Sequence, residues 1–392
     1  MKKVVLSIDS WYPLVDGCTN VVLNYDKWLN KNNKSIIVTS SFGEKLDLEG
    51  EERYYKNLFH CKSKKYLYGK FYNPKPQKDE KLKAFLDDFK PQLIHAHSPF
   101  ALLKYFNTYG KEHKIPIVFT FHTKFKDEFY RFTHSHILTK LAMNIMMGYI
   151  NNADYVWAVS KYAADVLKSY GYKKDIRIVH NAIDLKKVND VERNKLANKI
   201  NEKYGILPDE NVLLYAGRVV KNKNIEFNLK VAQELKKRNF KFKFLIVGDG
   251  EIEKFKKKAK KLNIENEVKF IGPIYDRTLI AAFYSRAHIV LMPSTFDTIS
   301  LIPMEAGSYK TPIIAASHSC YSEIIESNIN GYIRDLDVKQ WADCVQTSFT
   351  DKNYLKIQQN CQKMVVNWDE KIFEINKLYD EIIADYNLKH KK

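Results

Sequence analysis

No stretch of this chain approaches the roughly 18 uncharged apolar residues that a membrane-spanning helix requires. The segment from Met1 to Asp9 places two lysines before an apolar run, but Asp9 interrupts that run early and no small-residue cleavage site follows. It reads as a buried first strand rather than a leader, and the expectation is a cytoplasmic protein. Cysteine is sparse: Cys18, Cys61, Cys320, Cys344 and Cys361 are odd in number, widely spaced and without a CxxC pair. A disulfide framework is excluded on that pattern, and reduced, structural thiols are expected. Low-complexity tracts and internal repeats are absent, which excludes solenoids and extended disorder. No finger, helix-turn-helix or RNA-binding sheet signature is present, so a nucleic-acid-binding protein would rest on charge alone.

That charge is large: 64 basic against 46 acidic residues give a net +18, which implies an anionic partner. Length adds a second constraint, because 392 residues exceed one ordinary core and suit two domains. A cleft between them is the expected binding place. The lysines concentrate from Lys62 to Tyr72 and continue through Lys75, Lys78, Lys81 and Lys83, with aromatic residues among them. Rings and lysines so mixed suit an anionic membrane surface, the alternative being a solvated lysine-rich face. Two further basic runs, Lys236 to Lys243 and Lys254 to Lys261, fall on expected surface helices and read as solvated faces.

Short apolar runs alternate with amphipathic stretches throughout. Val4–Ile8, Ser35–Thr39, Leu93–Ala96, Ile117–Phe121, Tyr155–Val159 and Ile176–His180 form one series of expected strands. Val212–Ala216, Phe244–Val247, Val268–Ile271, Ile289–Met292, Pro312–Ala315 and Gly331–Ile333 form a second. Two β-α series predict an α/β protein of two doubly wound, Rossmann-like parallel-sheet domains, each binding ligand at the carboxyl ends of its strands. The boundary is placed after Asp184, giving residues 1–184 and 185–368, with Lys186 to Tyr204 as a polar helical link. A long amphipathic helix from Trp368 to Leu388 has apolar residues Ile372, Ile375, Leu378, Tyr379, Ile382 and Ile383 at spacings of three and four.

Asp297 and Glu305 lie eight residues apart in the segment Pro293 to Gly307. The spacing fits a loop entering a helix, with both carboxylates able to reach the hydroxyls of one polyhydroxylated ligand and free backbone N–H groups beside them for an anion. Arg218 and Lys223 stand just past a strand in Tyr215 to Asn224, where two cations would meet a phosphate or, alternatively, form surface ion pairs. Gly248 and Gly250 mark a strand-to-loop turn that could border a base, although turn chemistry alone accounts for both. Gly17 ends the loop that begins at Trp11, before an apolar helix, where it would either admit a close anion or make a plain turn. His95, His97 and His122 follow the ends of adjacent strands. With no carboxylate or cysteine cluster nearby, hydrogen bonding to substrate hydroxyls is favoured over zinc. Asp335 and Asp337 form a DxD, read as helix capping rather than a metal site.

In this order the motifs resemble the retaining glycosyltransferases of family 4, which have the GT-B fold of two facing Rossmann-like domains. The resemblance spans nearly the whole chain: Val15 to Gly17, His95 to Phe100, Phe121 to Thr123, Ala153 to Ser160, Ile178 to Asp184, Gly217–Arg218 with Lys223–Asn224, Gly248 to Gly250, and the Asp297/Glu305 pair. It implies that Glu305 holds the ribose and Asp297 the donor sugar. Arg218 and Lys223 would hold the diphosphate, facing Gly17 of the other domain, with His122 beside the sugar. Gly248, Ser300 and Leu301 would complete the donor site. It also implies that the C-terminal helix, residues 369–392, crosses back to complete the first domain. No metal or other cofactor is called for. The expected partners are a nucleotide-sugar donor, an acceptor glycan or glycolipid and an anionic membrane surface at the inner face of the cell membrane, with no nucleic acid. The reaction implied is retaining transfer of a hexose, UDP-linked, to an acceptor hydroxyl. Two departures bear on this. The family's Glu-Gly-Phe-Gly-Leu is here Asp297 to Leu301, with Thr298 and Ser300 at the glycine positions, and Ala182 replaces a hinge glycine. They keep open a catalytically silent relative that binds sugar nucleotide only.

Overall fold

The computed structural model describes residues 1–11, 17–40, 57–66, 71–185 and 187–390. The chain divides into two compact units, one of Met1–Asn181 with Trp368–Lys392 and one of Ala182–Asn367.

In the first unit the elements run β1 (Lys3–Ile8), α1 (Gly17–Leu29), β2 (Lys34–Ser40), β3 (Leu58–Cys61), β4 (Ser63–Tyr66), β5 (Phe71–Pro74), α2 (Glu80–Phe89) and β6 (Leu93–Ala96). Then follow α3 (Ala101–His113), β7 (Ile117–Phe121), α4 (Phe125–Thr133), α5 (His136–Asn151), β8 (Tyr155–Ala158), α6 (Lys161–Ser169) and β9 (Arg177–Ile178). Seven strands form one parallel sheet in the order β3-β2-β1-β6-β7-β8-β9, while β4 and β5 pair separately and antiparallel. The central strands β6 and β7 are buried at every position, as a parallel sheet covered on both faces requires. Helices begin where the sequence supplies a cap: Asp79 accepts from Leu82 N–H at 3.2 Å, and Ser160 from Ala163 N–H at 2.9 Å.

The second unit contains α7 (Asp190–Tyr204), β10 (Val212–Ala216), α8 (Ile225–Lys237), β11 (Lys243–Val247), α9 (Ile252–Lys261), β12 (Val268–Gly272), α10 (Arg277–Arg286) and β13 (Ile289–Met292). It continues with α11 (Ile302–Ser308), β14 (Ile313–Ala316), β15 (Tyr332–Arg334), α12 (Val338–Thr350) and α13 (Tyr354–Lys363). Its six parallel strands are ordered β12-β11-β10-β13-β14-β15. Asn189 and Glu192 form a reciprocal capping box at the start of α7, and Gly205 ends that helix in the left-handed region at φ 63°. Asp337 caps α12 by accepting from Gln340 N–H at 2.8 Å, so this half of the DxD is a helix cap.

The last helix, α14 (Trp368–Lys389), belongs to the first unit. Trp157 stacks on Tyr379, Asn33 donates to Asn376 at 2.7 Å, and Tyr155 donates to Asp385 at 2.5 Å. Ile372, Ile375, Leu378, Tyr379 and Ile382 are all buried, which is the apolar stripe its sequence carries.

Two features differ from the sequence expectation. β3 is a four-residue edge strand and β4–β5 a separate antiparallel ribbon with Lys64 and Lys65 on β4, and neither carries the long apolar run that marks the central strands. Part of the Lys62 to Tyr72 segment, residues 67–70, lies outside the described residues. The expected strand Ile176–His180 contracts to two exposed edge residues, Arg177 and Ile178. The basic runs of the second unit carry their own counter-charges, with Lys236 on Glu267, Lys254 on Glu251, Lys256 on Glu253 and Lys258 on Glu226.

Candidate active site

In the second unit the winding direction reverses between β10 and β13, with β11 and β12 on one side and β14 and β15 on the other. Loops leaving the carboxyl ends of those two strands diverge, and such a switch point is where open α/β sheets bind ligands. Arg218 and Lys223 leave β10; Asp297 and Glu305 leave β13. The two loops meet. A Cβ added to Gly217 would lie 3.8 Å from the Ile302 methyl at the start of α11. The Lys223 ammonium pairs with Asp297 Oδ1, both side chains being largely buried. Tyr321, just past β14, donates to Asp297 Oδ2 at 3.3 Å. Asp297 is therefore held on both oxygens, yet a carboxylate has about four acceptor positions, and two remain for a ligand. The ammonium likewise keeps two of its three protons.

Glu305, within α11, accepts from the Tyr284 hydroxyl at 2.9 Å. Burial raises its carboxyl above the ordinary range, opposed by that hydrogen bond and by Arg277. Tyr284 is itself inaccessible, and burial with the adjacent carboxylate drives its phenol far upward. Tyr215, also buried, donates to the Arg218 carbonyl at 2.9 Å and fixes the turn that presents Arg218. The Arg218 side chain is exposed and makes no ion pair with a described residue.

The glycines around this turn answer to the protein's own backbone. Gly248 has φ 143°, and a Cβ there would stand 1.9 Å from the Gly217 carbonyl oxygen. Val219 N–H donates to the Asp249 carbonyl at 2.7 Å and Glu251 N–H to the Val219 carbonyl at 2.7 Å, which extends the β10–β11 pairing past the strands. Ser300 is buried, and its hydroxyl accepts from Ile302 N–H at 3.3 Å and bonds Tyr321. Thr298 is buried as well, so both residues at the family's glycine positions direct their side chains inward. Leu301 packs on Ile183, Met304 and Val365.

The first unit has its switch point between β1 and β6. Asp9, past β1, accepts from Ser98 Oγ at 2.5 Å and from Leu102 N–H at 3.0 Å, tying the two loops and the start of α3 together. Burial pushes its carboxyl up to about 6. Gly17 opens α1, and a Cβ added there would have no atom of a described residue within 4 Å, so none of these demands glycine at that position; residues 12–16, Val15 and Asp16 among them, lie outside the described residues. His122, at the end of β7, meets His97 through His97 Nδ1 and His122 Nε2 at 3.0 Å. Burial lowers it to about 3 and keeps it neutral. His95 departs from the expectation of substrate contact. It is wholly buried, with Nδ1 on the Tyr379 hydroxyl at 2.7 Å and Nε2 on Thr120 Oγ1 at 2.6 Å, so both nitrogens join β6 to β7 and α14. Among the described residues no group of three His, Cys, Asp or Glu side chains is placed to hold a metal ion.

Two family models match the chain, Glycosyltransferase Family 4 over residues 15–187 and Glycosyl transferases group 1 over residues 197–364. The chain belongs to the family 4 glycosyltransferases. This glycosyltransferase is 23% identical to the alpha-monoglucosyldiacylglycerol synthase of Streptococcus pneumoniae over 84% of its own length and 74% of the relative. To the protein of the same description from Acholeplasma laidlawii it is 25% identical over 84% of each chain. Among solved structures, Anabaena HepE in complex with UDP superposes with a TM-score of 0.77 at 17% identity, covering 97% of this glycosyltransferase and all of HepE. That likeness establishes the GT-B fold. HepE has also been crystallised with UDP-glucose.

Sequence reasoning missed three tyrosines: Tyr284 and Tyr321, which donate to Glu305 and Asp297, and Tyr215, which fixes the Arg218 turn. Tyr284 sits in the buried run Ala281 to Ser285 of α10, where a hydroxyl among apolar neighbours signals a needed partner. Tyr215 is the penultimate residue of the buried strand β10, two before Gly217, and gives the same signal. Tyr321 lies in a short turn with no periodicity, and nothing in the sequence marks it.

Proposed function

We propose that the enzyme transfers a hexose, glucose foremost, from its UDP-linked donor to a hydroxyl of a lipid acceptor, with retention of anomeric configuration. The observation that carries this is the pairing of Lys223, from the β10 loop that also carries Arg218, with Asp297, from the β13 loop that leads to Glu305. One edge of the site is cationic, suited to a diphosphate, and the other presents two carboxylates, suited to ribose and sugar hydroxyls. UDP is favoured because HepE, which shares the fold, binds it. A lipid acceptor is favoured because both curated relatives are named for glucosyldiacylglycerol synthesis.

In this reading Glu305 accepts from the ribose hydroxyls, positioned by Tyr284. Asp297 accepts from the donor sugar, and Lys223 and Arg218 neutralise charge that develops on the leaving diphosphate. The departing phosphate oxygen takes the acceptor proton on the same face of the sugar, so no separate base is required. His122, kept neutral by burial, takes the place beside the donor sugar that the family resemblance implies. Gly17 leaves room for the diphosphate, while Gly248, Ser300 and Leu301 contribute by shaping the loops rather than by their side chains.

A second reading, a binder of sugar nucleotide without turnover, is favoured by the engagement of both Asp297 oxygens and by the inward side chains of Thr298 and Ser300. A panel of UDP- and GDP-sugars, assayed for nucleotide release with diacylglycerol or glycosylated lipid as acceptor, separates them. Acceptor-dependent release of UDP supports transfer, whereas thermal stabilisation by UDP without release from any donor supports the silent binder.

A further inference from the structure

The outward face of α5 is apolar where a surface helix is ordinarily polar. Its buried side is Thr139, Met143, Met146, Met147 and Ile150, packed into the first unit. The opposite side carries Ile137, Leu138, Leu141 and Ile145, which are 82%, 52%, 56% and 48% exposed. From Phe129 to Ala153 the sequence contains no aspartate or glutamate. The charges there are Arg131, which pairs with Glu128 one turn back on α4, and Lys140, which is exposed and makes no ion pair with a described residue. Asp127 and Glu128 stand at the far end of α4, beside Lys124 and Lys126.

We infer that the α4–α5 hairpin is the enzyme's docking surface for a bilayer containing anionic lipid, with the four aliphatic side chains of α5 entering the acyl boundary and Lys140 meeting headgroup phosphates. Charge selects this occupant over a second copy of the chain. A two-fold interface through the same face would set Lys140 against its own copy, with no acid from Phe129 to Ala153 to offset it, whereas anionic headgroups supply the missing sign. The hairpin starts three residues past His122 and is anchored by ring contacts of Phe125 with Phe121 and Phe100. Docking it would bring a bilayer beside the loops at the carboxyl end of the first sheet. That such a bilayer delivers the acceptor rests on the function proposed above; the docking itself does not.

The test is flotation of the full chain with vesicles of phosphatidylcholine alone or with phosphatidylglycerol added. Wild type should float with the anionic vesicles and far less with the neutral ones. Replacing two aliphatic residues, Ile137→Ser with Leu141→Ser, should lower partition at least about tenfold, since each forfeits burial of an aliphatic side chain. Lys140→Glu should lower it roughly tenfold on anionic vesicles only. Both changes are at exposed positions, and unchanged thermal melts would show that the fold is retained. Unaltered flotation of the double variant overturns the proposal, as does equal recovery of wild type on both vesicle types. Conversion of a wild-type dimer to a monomer by the double variant, without loss of flotation, would assign the face to a second copy instead. UDP release with a short-chain, water-soluble acceptor should be the same in wild type and variants. Its absence from all of them, with vesicle binding intact, would sink the transfer reading and leave the docking surface standing.

Discussion

Removing the Lys223 ammonium while keeping its stem, as in Lys223→Met, should separate the structural from the chemical work of the pair it forms with Asp297. The two side chains are only 13% and 15% exposed. Stranding one partner of a buried pair costs on the order of 3 to 5 kcal/mol, because the remaining charge is left in low dielectric. The residual solvent contact and the Tyr321 hydrogen bond to Asp297 reduce this to about 2 to 3 kcal/mol. Urea unfolding at neutral pH measures it. The double variant Lys223→Met with Asp297→Asn has no stranded charge and should regain about half of the loss or more. Activity should not follow stability: UDP release should fall by roughly a hundredfold or more in both, since the ammonium that neutralises the leaving diphosphate is gone from both. Equal stability of wild type, single and double variants would show that the pair is energetically idle. Recovery of turnover in the double variant would show that Lys223 serves the fold and not the phosphate.

Three further predictions test separate parts of the account. Tyr284→Phe deletes the hydroxyl that donates to Glu305, and the loss of one hydrogen bond to a charged group, about 1.5 to 3 kcal/mol, should weaken UDP binding by calorimetry roughly ten- to a hundredfold. Unchanged affinity would mean that Glu305 does not need this positioning. Gly17→Ala meets no atom of a described residue, so stability should stay level or rise by up to about 1 kcal/mol through helix propensity, while UDP-glucose turnover should drop at least about tenfold if the diphosphate approaches that backbone. Full activity would remove Gly17 from the site. Asp9 has a carboxyl raised from 3.8 to about 6. The folded state therefore holds this proton more tightly than the unfolded chain, and stability present below pH 3.8 is lost as pH rises toward 6. The loss through this one group is about 3 kcal/mol, and Asp9→Asn should lack it in denaturation curves taken across that interval. Asp26, shifted alike by burial, contributes to both proteins and cancels in the difference. Identical pH slopes would contradict the role given to Asp9.

The sheet strands were legible because central parallel strands are buried on both faces and leave unbroken apolar runs such as Val212–Ala216 and Ile289–Met292. The long helix α14 was legible for the complementary reason, an apolar stripe at spacings of three and four. β3 and the β4–β5 ribbon were not, since four-residue strands at an edge or outside the sheet leave no such run. The charged pair that the two loops bring together, Lys223 and Asp297, could be named in advance because carboxylates and cations in loops after strands have few structural uses. Their supports could not. Tyr321 reaches Asp297 across 24 residues, and His95 has a ligand's place in the sequence although Thr120 and Tyr379 occupy both its nitrogens. Gly248 shows the same limit: its glycine is imposed by the Gly217 carbonyl, a contact between two separate strand ends.

The most direct test of the central claim is transfer itself. The full-length chain, supplied with UDP-glucose and vesicles containing diacylglycerol, should release one UDP for each glucosyl lipid formed. The anomeric proton of the product should show the α configuration by nuclear magnetic resonance, and Glu305→Ala, folded by circular dichroism, should form none. Stabilisation by UDP with no glucosyl lipid from any donor, a β-linked product, or undiminished transfer by Glu305→Ala would contradict the account.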